Sequence, residues 1–201
     1  MKVGVLVSGE GTNLQALLDD GEIEVVCVGS NKPDAPGLER ARDAGVATGV
    51  FAPPDYPDRG ARDDALAGWL ESHEVELVVL AGFMELLSPA FIARFPERVV
   101  NVHPALLPAF PGVRAIEQAL DHGVKVMGVT VHFVDEGVDS GPIILQEAFD
   151  LPYPRAIEEI EERVHDIEHR LLPRAVRLIA AGAVRIDPDN PRLVVVNGED
   201  G

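Results

Sequence analysis

Cysteine occurs once, at Cys27, which excludes an internal disulfide and any cysteine-based zinc site. It lies within Val25-Val26-Cys27-Val28, an apolar strand, where a free cysteine acts as a buried core thiol rather than a nucleophile. Lysine is nearly as scarce: Lys2, Lys32 and Lys125 against 14 arginines make up the 17 basic residues, facing 34 acidic ones. The resulting net charge of -17 disfavours nucleic acid or an anionic membrane surface as the main partner, so any phosphate site must be built locally. Long hydrophobic runs are missing. The only early one, Val3–Val7, ends at Ser8-Gly9-Glu10, too short for a secretion signal or a membrane span. A cytoplasmic protein is expected.

What is present is a globular composition: 46 % of 201 residues are apolar, enough for one domain with its own core. Short apolar runs alternate with amphipathic stretches. Strands are predicted at Val3–Val7, Ile23–Gly29, Ala47–Phe51, Leu77–Ala81, Arg98–Val102 and Lys125–Val134, and helices at Thr12–Asp19, Gly37–Ala44, Arg59–Ser72, Ser88–Arg94 and Val113–His122. This alternation predicts an α/β fold: an open, mostly parallel twisted sheet with helices on both faces, Rossmann-like. Ile143–Phe149 follows the last of these strands closely enough to pair with it antiparallel. Pro152-Tyr153-Pro154 marks a break. A long helix is then predicted from Arg155 to Ala181, with Ile157, Ile160, Val164, Ile167, Leu171 and Leu172 on one face and a kink at Pro173. Ala183–Ile186 and Arg192–Val196 read as a terminal hairpin.

Three loops should leave the carboxyl ends of strands, where ligands bind in open parallel sheets: Ser8–Asn13, Asn101–Pro108 and Asp135–Pro142. Ser8-Gly9-Glu10-Gly11-Thr12-Asn13 opens a helix with two glycines and two side-chain donors, which suits an anion. The third glycine of a dinucleotide fingerprint is missing, and so is the lysine of a nucleotide P-loop. A monophosphate site and a plain strand–helix turn capped by Thr12 both remain open.

Asn101 and His103 lie two apart where an apolar strand runs into Pro104, so a persisting strand puts both on one side. A lone histidine is usually structural; the neighbouring amide is what points to chemistry. Asp139 sits in an acidic, Gly-rich loop where a carboxylate is ordinarily a solvated turn residue. Together, an amide donor, an imidazole and a carboxylate suffice to stabilise an oxyanion and move a proton. His165-Asp166-Ile167-Glu168-His169 imitates an inverted zinc-peptidase motif, but a third ligand is lacking and the helix is rich in Glu and Arg, so a solvated or pocket-rim face is the better reading. Arg59 reads as a surface arginine. Trp69, Phe83, Met84, Leu86 and Leu87 read as core, although the run from Ala81 to Leu87 is long after a strand and suits the wall of an apolar slot.

Taken together, Ser8-Gly9-Glu10-Gly11-Thr12-Asn13-Leu14-Gln15-Ala16, Leu80-Ala81-Gly82-Phe83-Met84, Asn101-Val102-His103-Pro104-Ala105-Leu106-Leu107-Pro108 and Gly141-Pro142-Ile143-Ile144-Leu145-Gln146 resemble the phosphoribosylglycinamide formyltransferases, folate-dependent transferases of purine biosynthesis and one-carbon metabolism. The resemblance runs in order over roughly residues 1 to 180. It implies a single formyltransferase domain over 1–201, with a phosphate-binding half at 1–100, a catalytic and folate half at 101–181 and a hairpin tail at 182–201. It implies that Gly11, Thr12 and Asn13 hold the ribonucleotide phosphate and that Asn101, His103 and Asp139 are catalytic. Arg59, Met84, Glu85, Leu86 and Leu87 would meet the folate, as would Asn101 and the loop Asp135, Glu136, Gly137, Val138 and Asp139. Glu168 would bind the ribose hydroxyls. Glu85, Arg114 and His165 depart from residues common in the family: Arg, His and Gln respectively.

The implied reaction is direct formyl transfer from 10-formyltetrahydrofolate, the co-substrate, to the amine of glycinamide ribonucleotide, with no metal. The implied partners are small-molecule substrates, not nucleic acid or membrane, and the implied assembly a monomer or homodimer. A formyl-folate hydrolase is the nearest enzymatic rival, since the same donors can activate water; its relatives usually carry an extra N-terminal domain. Transfer-RNA formyltransferases are longer and end in a basic domain. A sugar-amine formyltransferase fits the phosphate loop poorly, and a binding protein without chemistry fits the trio poorly.

Overall fold

The computed structural model describes residues 1–151, 153 and 156–197. Backbone contacts gather into two units, Met1–Asn101 and a second beginning at Val102. The first unit holds β1 (Lys2–Val7), α1 (Thr12–Asp19), β2 (Glu24–Ser30), α2 (Pro36–Asp43), β3 (Ala47–Val50), α3 (Arg59–Ser72), β4 (Leu77–Leu80), α4 (Pro89–Arg94) and the start of β5 (Val99–His103). All four strand pairings in it are parallel: β1 with β2, β1 with β4, β2 with β3 and β4 with β5. Within this unit the strand order is β3-β2-β1-β4-β5, so the winding reverses between β1 and β4. Leu6, Val28, Val78 and Val79 are fully buried, as expected of strands covered on both faces and written as continuous apolar runs. Helix starts are specified locally: Asp58 caps α3 by accepting from the Ala61 amide at 2.8 Å, and Ser88 caps α4, with Pro89 in the first turn.

The second unit contains the end of β5, α5 (Ala115–Asp121), β6 (Val126–Phe133), β7 (Ile143–Asp150), α6 (Ile157–Ala180), β8 (Val184–Ile186) and β9 (Val194–Val196). β6 and β7 pair antiparallel, as do β8 and β9. α6 buries Ile160, Val164, Ile167, Leu171 and Leu172 at the expected spacing and runs through Pro173 unbroken. Pro152, Pro154 and Arg155, assigned to the break and the helix start, lie outside the described residues, as do the last four residues of the tail.

Two local features differ from expectation. α5 starts at Ala115 rather than Val113, because Arg114 adopts the left-handed conformation (φ 61°) at the cap. A single 3-10 turn at Pro53–Asp55 went unanticipated. Among the described residues, no helix is long and apolar enough to cross a membrane.

Candidate active site

β5 ends the run of buried valines Val99 and Val100 with Asn101, Val102 and His103. Asn101 is registered against Leu80 of β4 and is part-exposed; His103 follows on the same strand side and is buried. The His103 ring stands between two acceptors. Its Nδ1 is 3.3 Å from Asp139 Oδ2, and its Nε2 is 2.8 Å from the Phe110 carbonyl oxygen. A neutral imidazole carries one N–H and can donate to only one of them; the imidazolium donates to both. Asp139 also accepts from the Gly112 amide at 2.7 Å, and its other oxygen is 3.6 Å from Nε2 of His132. Burial alone would raise the Asp139 carboxyl; His132, the Gly112 amide and the His103 charge outweigh it and hold it below the ordinary aspartate range. His132 is a residue that sequence reasoning passed over. A histidine inside a buried strand signals only core, and Nδ1 within reach of the Phe133 carbonyl oxygen at 2.8 Å is a relation only coordinates supply.

The loop carrying Asp139 is held at its base. Phe133 N donates to Pro142 O at 2.9 Å, and a Cβ on Gly141 would lie 1.8 Å from Phe133 O, so only glycine fits. Asp135 organises the tip by accepting from Gly137 N at 3.0 Å and Ser140 Oγ at 2.7 Å, which makes its side chain a turn-former. Val138 is exposed. The segment after His103 is fixed by Thr130, whose hydroxyl donates to Ala105 O at 2.6 Å and accepts from Leu107 N at 3.1 Å; Gln146 donates to Leu107 O at 2.9 Å.

In the first unit, the loop after β1 reaches α1 through Gly11, which is left-handed at φ 71° and is itself the helix cap. Thr12 is the first helical residue, where the predicted helix begins, so the alternative of a turn capped by Thr12 fails, and no side chain caps α1. A Cβ on Gly11 would lie 2.7 Å from the Gly37 Cα, whereas Gly9 has open space around it. The close approach therefore needs Gly11, and the helix N-terminus opens on Thr12 and Asn13, the arrangement that favours an anion. Arg40, also missed from sequence, lies alongside: Nε donates to Glu10 O at 2.7 Å and Nη1 to Gln15 Oε1 at 3.3 Å.

After β4, the segment around Met84 is tied to this loop, with Ser8 N donating to Gly82 O at 3.1 Å and Met84 N to Ser8 Oγ at 2.7 Å. This places the 82–88 segment at the reversal between β1 and β4, where ligands of such sheets bind. Met84 is 69 % and Leu86 57 % exposed, so the default core reading fails for both. Trp69 packs on Phe51 and His73 instead. Arg59 is exposed at the first turn of α3. In the second unit Glu168 is buried on α6 while His165 is exposed and stacks on His169. No group of three metal-ligating side chains occurs among the described residues. A separate cleft of about 510 Å³, lined by Val126, Phe149, Asp150, Leu151, Glu159 and Arg163, contains none of the expected site residues.

The formyl transferase family model matches residues 1–176. A phosphoribosylglycinamide formyltransferase of Haemophilus influenzae is 40 % identical over 190 residues, covering 92 % of this chain and 90 % of its own. The trifunctional purine biosynthetic protein adenosine-3 of Chironomus tentans is 44 % identical over 193 residues, but the chain spans only 14 % of that protein's length. The crystal structure of glycinamide ribonucleotide transformylase 1 from Symbiobacterium toebii superposes with a TM-score of 0.93 at 49 % identity, covering 98 % of this chain and 93 % of the other. With the fold, the strand-end asparagine and histidine, and a family match over most of its length, this chain belongs to the formyl transferase family.

Proposed function

We propose that this chain transfers the formyl group of 10-formyltetrahydrofolate to the amine of glycinamide ribonucleotide, giving formylglycinamide ribonucleotide and tetrahydrofolate in purine biosynthesis. The observation that carries the reading is the His103 ring held between Asp139 and a backbone carbonyl at 3.3 and 2.8 Å. Both ring nitrogens face acceptors, and an N–H so aimed is what a developing oxyanion needs beside it.

The substrate amine attacks the formyl carbon, and negative charge collects on the formyl oxygen. Asn101 donates its amide N–H to that oxygen. His103 exchanges the Phe110 carbonyl for it, so the ring's Nε2–H moves from a backbone acceptor to a charged one. As the C–N bond to folate breaks, the proton lost by the amine is returned to the folate nitrogen through His103 or a water. Asp139 keeps the ring oriented through Nδ1 throughout. Gly11, Thr12 and Asn13 take the phosphate and Glu168 the ribose hydroxyls. Met84 to Leu87, Arg59 and residues 135–139 take the folate.

The reading carries with it a single formyltransferase domain, in which residues 1–100 bind phosphate, 101–181 supply catalysis and the folate loop, and 182–201 form a hairpin tail. It also implies a cytoplasmic enzyme, monomeric or homodimeric, that acts on small molecules without a resident metal.

Loss of one oxyanion donor costs about a hundredfold to a thousandfold in turnover. Asn101→Ala and His103→Ala are each expected to lose at least that much kcat with folded protein retained. The assay follows folate absorbance with both substrates, and again without the amine. Near-normal kcat in the His103 variant rejects the scheme; equal turnover without the amine makes the protein a hydrolase.

A further inference from the structure

The 82–88 segment presents an apparent contradiction. Two large apolar side chains, Met84 and Leu86, stand mostly exposed, yet the backbone that carries them is bound at both ends by buried polar groups. Those groups form a continuous chain of hydrogen bonds. Met84 N donates to Ser8 Oγ at 2.7 Å, and the Ser8 hydroxyl, having accepted there, donates to Asn31 Oδ1 at 2.6 Å. The Asn31 amide is thereby oriented, and its Nδ2 donates to Glu85 Oε1 at 3.3 Å. Glu85 Oε2 accepts from Arg62 Nη1 at 3.0 Å, and the same guanidinium donates through Nε and Nη2 to Asp63 Oδ1 at 3.0 and 2.8 Å. Asp63 Oδ2 then accepts from Ser88 N at 2.6 Å. The chain leaves the segment at Met84 and returns to it at Ser88.

Direction matters in this circuit. Every donor from Met84 to Asn31 points toward Glu85, so position 85 must supply acceptors only, which a carboxylate does. Arg62 lies between two such acceptors, Glu85 and Asp63, and feeds both. Arg62 and Asp63 are buried (side chains 3 % and 0 % exposed), where a satisfied network rigidifies and a broken one is costly. With its carboxylate engaged by Asn31 and Arg62, Glu85 has its backbone to offer a ligand.

We propose that Ser8, Asn31, Arg62, Asp63 and the Glu85 side chain are positioning residues. They staple the 82–88 segment so that Met84 and Leu86 stand ready as a preformed apolar wall for the flat ring of the folate co-substrate. The assignment of that ring rests on the function proposed above. A wall held open in advance spares the ordering cost on binding, so loosening the staple weakens folate capture more than chemistry.

Arg62 is a poor probe, since removing it strands Asp63 in the core. Glu85→Gln and Asn31→Ala break the circuit at buried Asn31 and part-buried Glu85 and leave the Arg62–Asp63 pair intact. Each single variant is expected to raise KM for 10-formyltetrahydrofolate about five- to tenfold, the loss of roughly one ordinary net hydrogen bond. KM for glycinamide ribonucleotide and kcat should change less than about twofold. Because both residues act in one circuit, the double variant should fall within about twofold of the worse single one. Amide hydrogen exchange at Met84 and Ser88 should speed up in both variants while core strand amides stay protected. Equal rises in both KM values, multiplicative effects in the double variant, or unchanged exchange at Met84 and Ser88 would overturn the proposal. If the parent protein forms no formylglycinamide ribonucleotide, the functional reading fails by itself. Tetrahydrofolate binding to the two variants, measured by calorimetry beside the exchange experiment, then decides whether the staple holds a folate wall.

Discussion

Asp139 combines three demands on one side chain. It adopts a left-handed backbone (φ 48°), faces two imidazoles and accepts from the Gly112 amide. A carboxyl held low in the folded state stabilises the fold at any pH above its ordinary value of about 4, and that stability is lost as pH falls through the lowered folded value. Asp139→Asn should therefore flatten the acid limb of a plot of Tm against pH, with little change in slope above about pH 5. The same variant should change the pH–rate profile, because the His103 ring loses its counter-charge. An acid limb identical to the parent's would remove Asp139 from the ionised role. At the other extreme, Cys27 is pushed up to about 12 by burial, which makes it an inert core thiol as its strand context indicated. Asn101, His103 and Asp139 were legible as candidates because their types suit oxyanion and proton chemistry and two of them share a strand end. His132 was not, since nothing in its own neighbourhood distinguishes it from core.

Among the elements, the connections carry more information than the strands they join. The β6–β7 connection closes on itself through Gly141, whose hydrogen stands where any side chain would strike the Phe133 carbonyl. Gly141→Ala is expected to cost about 2–4 kcal/mol of stability, as a backbone clash that must open the Phe133–Pro142 bond. It should also raise KM for formyl-folate through the displaced 135–139 residues. Urea melts and steady-state kinetics check both; a variant as stable as the parent would show that the closure is soft. The periods of two and 3.6 residues were enough to find nearly every strand and helix. They missed the left-handed start of α5 and the 3-10 turn at Pro53–Asp55, where single-residue conformations decide and no periodicity exists. They also assigned Met84 and Leu86 to the core, since hydrophobicity alone does not tell a buried side chain from one held out for a ligand.

The whole molecule carries a net charge of -17. Self-repulsion of that size is screened within roughly 10 Å at 0.1 M salt. Raising NaCl from about 20 to 200 mM should therefore raise Tm by a few degrees. Thermal melts across that range at pH 7.5 or so test it, and a falling Tm would mean that ion pairs such as Arg94 with Asp64 and Glu71 outweigh the general repulsion.

Periodicity, turn residues and a few ordered motifs determined, from the chain alone, the mostly parallel α/β architecture and the family. These depend on residues close together in sequence, where backbone geometry dictates which neighbours share a face. The tertiary structure alone decided that Glu85 belongs to Arg62 and Asn31 rather than to solvent. It also decided that His103 is held by Phe110 as well as Asp139, and that Gly11 rather than Thr12 caps α1. Each of these is a relation of distance and direction set by how elements pack or by one residue's dihedral angles, and no local pattern encodes it.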